Sequence, residues 1–275
     1  MRSRSGLRRT SSGVALLFAA VVLAQNQRPL PREAPQTFIA TAPRVHVLAH
    51  ESLETDRLRE LARPGVTLWL RTDSNTLKKS TVENLQRFDS VWVQLRAPLK
   101  PVDAAVFSKI PKAGAWLDAS ALALVGRLPG ARRVAVTIDG APDFEAIRRA
   151  RPAEVRWAPG AGLDLLAWSQ FRSLPGRRIL SAAPGALLPV SCAERTSADP
   201  SVELHVATLL ALSSDVFPCG QGTRVVIQPS IEPWLLQSIL VRDPSVELVI
   251  DVGGDRTRAL GARELLEKLQ VGPAR

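Results

Sequence analysis

Histidine and cysteine are scarce in this chain, with three of the former and two of the latter in 275 residues. Three histidines leave little material for a His-based catalytic centre. Two cysteines alone do not make a zinc site, which needs four ligands when it is structural. No serine occupies the Gly-x-Ser-x-Gly elbow of an α/β-hydrolase nucleophile. There is also no long Lys/Arg run of the kind that would give nucleic acid a clustered basic stripe. The apolar run Val14–Leu23 has about half of the roughly 20 residues that a membrane span requires. Neither cofactor nor metal is expected, and so dispersed a basic excess is not expected to hold nucleic acid.

What is present begins with an export signature. Arg2, Arg4, Arg8 and Arg9 form a basic head, Val14–Leu23 an apolar middle, and Val22 and Ala24 the small residues that a signal peptidase reads. Residues 1–24 are therefore expected to be a signal peptide, with Gln25 as the new N-terminus and the periplasm or extracellular space as the destination. Cleavage removes four of the 36 basic residues and none of the 26 acids, so the formal charge falls from +10 to +6. Residues 25–43 carry Pro29, Pro31, Pro35 and Pro43 and read as an extended leader. Residues 44–275 are expected to form one α/β domain. Cys192 and Cys219 are 27 positions apart, and an oxidising compartment allows them to pair as a disulfide.

The body is organised by a phrase that occurs twice. Asp199-Pro200-Ser201-Val202-Glu203-Leu204 returns 44 residues later as Asp243-Pro244-Ser245-Val246-Glu247-Leu248, with the strand-like run Arg224–Gln228 midway. The unit is thus about 22 residues, and ten strand-like runs recur at that spacing between Val45 and Asp251. Short helical patterns separate them, which implies parallel strands joined by right-handed crossovers. Pro64-Gly65, Pro129-Gly130 and Pro175-Gly176 stop the helices and turn the chain into the next strand.

Two architectures fit this rhythm. A (β/α) barrel of the eight-stranded kind spends about 31 residues on each unit, whereas stacked repeats use 20–29. In runs such as Val66–Arg71 and Val134–Asp139, apolar residues alternate with more polar ones. Alternation in a parallel sheet predicts one solvated face. The expected fold is therefore an open solenoid, with a small (β/α) TIM-like barrel as the alternative. Segments such as Leu128-Pro-Gly-Ala-Arg-Arg-Val134-Ala-Val136 resemble the spaced Leu-x-x-Leu-x-Leu phrase of leucine-rich repeats. Val often stands for Leu, and Arg71, Arg96 and Asp139 hold the place of that family's Asn. The resemblance implies an open solenoid of stacked strand–helix units.

On that reading Trp69, Trp92 and Trp116 form an outward aromatic row on three consecutive strands, flanked by Arg71, Gln94, Arg96 and Asp118. Exposed aromatics beside hydrogen-bonding groups suit a glycan, peptide or protein of the cell envelope. The expected function is thus recognition without catalysis. On a barrel, Asp118 and Asp139 would instead sit at strand C-termini, as the carboxylate pair of a glycan-acting hydrolase. An envelope structural protein is the third reading. Val136-Thr-Ile-Asp139-Gly140 also resembles the Thr-Phe-Asp-Asp-Gly signature of polysaccharide deacetylases, but lacks its metal-binding second Asp. His46 and His50 lie on one strand about 13 Å apart, too far for joint ligation.

Overall fold

The computed structural model describes residues 40–42, 44–73, 77–96, 109–110, 113–127, 133–139, 142–159, 164–182, 200–205, 223–242 and 245–271. All of them fall within one compact unit, Thr37–Arg275. The expected signal segment, most of the proline-rich leader and both Cys192 and Cys219 lie outside the described residues.

Twelve strands follow in chain order among these residues: β1 (Ala40–Ala42), β2 (Arg44–His50), β3 (Val66–Arg71), β4 (Ser90–Leu95), β5 (Ala113–Asp118) and β6 (Val134–Asp139). They continue with β7 (Glu154–Ala158), β8 (Arg177–Ala182), β9 (Ser201–His205), β10 (Thr223–Ile227), β11 (Glu247–Gly253) and β12 (Leu269–Val271). The helices are α1 (Thr55–Glu60), α2 (Lys79–Leu85), α3 (Phe144–Ala150), α4 (Leu165–Arg172), α5 (Pro233–Arg242) and α6 (Arg256–Lys268). A 3-10 helix covers Ala119–Arg127. None of the described helices is long and apolar enough to cross a membrane.

Strands β2 to β11 pair in parallel and in sequence order, and β11 returns to β2 through Glu247↔Arg44 and Val249↔His46. This closure overturns the expected open, leucine-rich-repeat-like solenoid and leaves the (β/α) barrel. The short unit survives in a different sense. With α1, α2 and α3 only six or seven residues long, one strand–helix step needs few residues, and ten strands fit where eight longer units otherwise would. A separate two-stranded parallel sheet joins β1 to β12.

The alternation that suggested a solvated face separates the outside of the barrel from its inside. Val45, Leu68, Val91, Val136 and Leu248 point outward and are buried with Leu58, Leu85, Ile147, Ile239 and Leu266 of the surrounding helices. Three of those helices begin at an aspartate whose carboxylate accepts a backbone N–H: Asp143 from Ala146, Asp164 from Leu166 and Asp255 from Arg258. Pro64-Gly65 and Pro175-Gly176 turn the chain into β3 and β8, and both glycines have positive φ, 79° and 80°.

Following the register once around the barrel returns to β2 ten residues lower, so the shear equals the number of strands. Eight-stranded barrels with shear 8 share this ratio and tilt their strands by about 36°. Diameter grows with strand number, so the present interior is wider by about a quarter. Inward residues fall into layers of five drawn from alternate strands. One layer is His46, Trp92, Ala135, Ile179 and Arg224; the next towards the C-terminal mouth is Trp69, Trp116, Arg156, Glu203 and Val249. Gly114 is the register partner of Trp92, and a Cβ there would overlap the indole, which is already stacked on Trp69 at 5.1 Å. Gly114→Ala is accordingly expected to lower unfolding free energy by about 1–3 kcal/mol. Urea denaturation measures this, and an unchanged midpoint would mean that the indole has room to retreat.

Candidate functional site

Inside the barrel the three predicted tryptophans do meet, but they are enclosed by the sheet and do not lie on its outer face. Trp69, Trp92 and Trp116 are 8, 7 and 6% exposed. They do not form one row either. Trp69 and Trp92 are register partners, whereas Trp116 sits opposite Gln94, two residues beyond Gly114. Trp116 therefore meets Trp69 edge to face, with ring centres 5.3 Å apart. Its indole N–H donates to Thr137 Oγ1 at 2.7 Å.

The opposite wall is ionic, and its centre is dictated by the repeated phrase. Glu203 of β9 and Glu247 of β11 occupy the same position in the two copies, and both are register partners of Arg224 on the strand between them. Arg224 is 3% exposed. It donates to both oxygens of Glu154 at 3.0 and 3.1 Å and to Glu247 at 3.2 Å. Arg156 binds Glu203 through Nε at 2.8 Å and also reaches Ser181. Arg177 and Arg44 each donate to Glu247 at 2.9 Å. Three buried carboxylates thus face three inner guanidiniums, with Arg44 at the N-terminal end.

This pairing decides the protonation states. Burial pushes the Glu247 carboxyl up, but the His46 ring and the Arg224 and Arg177 guanidiniums outweigh it and hold the group well below the usual range. Burial likewise opposes ionisation of Glu203, and Arg156 and then Arg224 outweigh it. Arg224 is held above its ordinary value, since Glu154 and Glu247 outweigh desolvation. His46 goes the other way: burial lowers its pKa more than Glu247 raises it, so the ring is neutral. The Trp69 indole N–H donates to His46 Nδ1 at 3.3 Å, which leaves the imidazole proton on Nε2, 3.5 Å from Glu247 Oε2. His46 thereby connects the ionic wall to the aromatic one.

A cavity of about 70 Å³ lies towards the C-terminal mouth, between Trp69, Trp116, Arg156, Glu203, Val226 and Val249. At 10–15 Å³ per water it has room for on the order of five waters. Arg71, His205 and Asp251 line its outer part. With Asp118 and Ala158 they make up the mouth layer, drawn from β3, β5, β7, β9 and β11. The Arg71 guanidinium lies over the Trp116 ring at 6.0 Å and makes no ion pair among the described residues. Of the predicted ligand set, Trp69, Arg71 and Trp116 line the cavity. Trp92 and Gln94 are buried, Asp118 is half-buried, and Arg96 is exposed just past β4. Asp118 and Asp139 end adjacent strands, and the Asp139 side chain lies outside the described residues.

The ionic set escaped the sequence reading. The signal for it was available, since the repeated phrase holds a charged residue between two apolar ones, Val-Glu-Leu, within a strand-like run. Among the described residues, no three His, Cys, Asp or Glu side chains converge as metal ligands.

Folding keeps His46 less protonated than the unfolded chain, whose imidazole titrates near 6.5. The unfolded state then binds more protons, so this part of the stability is complete above pH about 6.5 and is lost on acidification below it. The contributions of Glu203 and Glu247 disappear further down, below the ordinary carboxylate value of 4.5. Unfolding free energy from urea titrations is expected to fall between pH about 6.5 and 5, and His46→Asn is expected to flatten that window. An identical fall in the variant would remove His46 from the account.

Compared with known proteins, the chain matches no family model, no curated protein and no solved structure.

Proposed function

We propose that this is an exported binding protein that takes the anionic end group of a small polar ligand, such as an acidic sugar of an envelope glycan, into the C-terminal mouth of its barrel. The observation that carries this reading is Arg71. Every inner guanidinium of the ionic wall is matched by a carboxylate, whereas Arg71 stands at the cavity entrance over an indole with no ion-pair partner among the described residues. A guanidinium held over an aromatic ring by cation–π attraction uses none of its N–H donors in doing so, and those donors suit recognition of a carboxylate or phosphate. The Trp69 and Trp116 edges supply an apolar wall for a sugar ring. Asp251, His205 and Thr137 offer acceptors and donors to hydroxyl groups. The size of the cavity limits the occupant to an end group.

Closure of the sheet favours a second reading, since catalytic side chains of (β/α) barrels gather at the strand C-termini. Asp118 and Asp139 end adjacent strands there, so glycan hydrolysis through that pair is the alternative.

Thermal-shift titration with glucuronate, galacturonate and neutral glucose separates binding by charge. An acidic sugar at 100 times its dissociation constant is expected to add about 2.7 kcal/mol, with little effect from glucose. Arg71→Ala is expected to abolish the shift while the variant stays folded, because Arg71 is exposed. Equal shifts from acidic and neutral sugars, or an undiminished shift in Arg71→Ala, would contradict the assignment.

A further inference from the structure

Just beyond the mouth layer, the turns after β2 and β3 bring together three side chains that the binding reading does not use. His50 ends β2 and is the register partner of Arg71 at the end of β3. Its Nδ1 lies 2.8 Å from Ser52 Oγ, and its Nε2 lies 3.1 Å from Asp73 Oδ2. The Ser52 backbone N–H points at the same Nδ1, 3.2 Å away. A backbone N–H can only donate, so Nδ1 must be the unprotonated nitrogen. The ring proton is then on Nε2, directed at the Asp73 carboxylate, and the Nδ1 lone pair is available to the Ser52 hydroxyl. A nucleophile within hydrogen-bond reach of a base, with the base oriented by a third group, is the constellation that activates serine.

The supports are local and specific. The Asp73 N–H donates to Glu51 Oε1 at 2.7 Å, and the Glu51 N–H donates to the Arg71 carbonyl at 2.9 Å, so the two turns are tied to each other. Thr72, between Arg71 and Asp73, is fully buried and donates to the Gln94 carbonyl at 2.8 Å. On the other side the Gly253-Gly254 turn packs on Ser52. Gly253 has φ 56°, and a Cβ at Gly254 would meet Ser52 Oγ, so a larger residue there would turn the hydroxyl away from its present position. That turn runs into α6, 13 residues long, whose N-terminal end is the positive one. Ser52 itself is exposed, as an attacking group must be.

We propose that Ser52, His50 and Asp73 form an acyl-transfer centre at the barrel rim, acting on small carboxylic esters. Ser52 Oγ attacks the ester carbonyl carbon as its proton passes to His50 Nδ1. The tetrahedral intermediate collapses by breaking the bond to the alkoxide, which takes that proton and leaves as the alcohol. Water then attacks the acyl-serine, gives its proton to Nδ1, and releases the carboxylic acid as the proton returns to Ser52 Oγ. Ser52 and His50 are the catalytic residues, and Asp73 positions His50.

The probes are neutral, so the result does not depend on what the mouth binds. The full chain is treated with phenylmethanesulfonyl fluoride and mapped by peptide mass spectrometry, and p-nitrophenyl acetate turnover is followed separately. A sulfonyl adduct on Ser52 is expected. Turnover is expected to fall by about 10²–10⁴-fold in Ser52→Ala and His50→Gln. Asp73→Asn is expected to lower kcat with KM unchanged, a split that a merely structural role would not produce. Ser52 and Asp73 lie on the surface, so these variants are expected to melt like wild type, and they keep the test decisive should His50→Gln fail to fold. No adduct on Ser52 in the wild-type chain, or wild-type turnover in folded Ser52→Ala, would overturn the proposal.

Discussion

A ten-stranded barrel whose shear equals its strand number has a broad interior, and that interior must be filled. Eight-stranded barrels manage with layers of four branched aliphatic residues. Here each layer has five members and a wider cross-section to cover. A void left at the centre would cost the packing contacts of every side chain around it. The chain fills one side with three indoles and the other with long Arg and Glu side chains that reach across to one another. The stack of Trp69 on Trp92 and the position of Gly114 follow from this need. So does the Arg224 side chain, which touches Glu154 three strands away on the barrel wall as well as its neighbour Glu247.

Filling space with charge brings its own constraint. An unpaired buried ion costs several kcal/mol, and a buried pair recovers that only when its geometry is good and its remaining donors and acceptors are met. Arg156, Arg177 and Arg224 against Glu154, Glu203 and Glu247 satisfy both conditions, since the charges balance and most contacts fall between 2.7 and 3.3 Å. His46 remains neutral beside this balanced set and passes its alignment to Trp69. The charges of the inner wall are therefore matched within the barrel, and the proposed binding falls to the mouth. There Arg71, His205 and Asp251 stand with fewer partners, and the rim turns carry Ser52, His50 and Asp73. On the proposed readings, packing and ligand chemistry would be divided along the barrel axis.

Much of this order could be read from the chain. The strands expected at Val66–Arg71 and Val134–Asp139 are found with those limits; alternating residues run through both, and Pro64-Gly65 marks the start of the first. Closure could not be read, for a physical reason. Alternation reports that the two faces of a strand differ, and a charged barrel interior produces the same pattern as water does. The sequence pattern puts the tryptophans on the face opposite the aliphatic residues, expected to be solvated; in the barrel that face is the interior. The 24-residue spacing from Trp92 to Trp116 exceeds the 22-residue register offset of β4 and β5 by two, which places Trp116 opposite Gln94 and breaks the row. In the sequence His50 ends one strand run and Asp73 lies two residues past another, and nothing in their spacing links them. Their meeting with Ser52 depends on β2 and β3 being neighbours in a fixed register, which a spacing pattern does not supply.

Closure of the sheet is tested most directly by the distance between the first and last units. In the barrel, α1 and α6 are linked by Arg263–Glu60 at 3.5 Å, with Arg63 just after α1 reaching Glu267 of α6 at 3.1 Å. Spin labels at Asp56 and Glu264, both exposed, are expected to show the strong dipolar broadening of helices about 10 Å apart. An open array of ten strands would separate its ends by nine spacings of about 4.8 Å, on the order of 40 Å. A distance of that size would contradict the closed barrel and everything built on its interior.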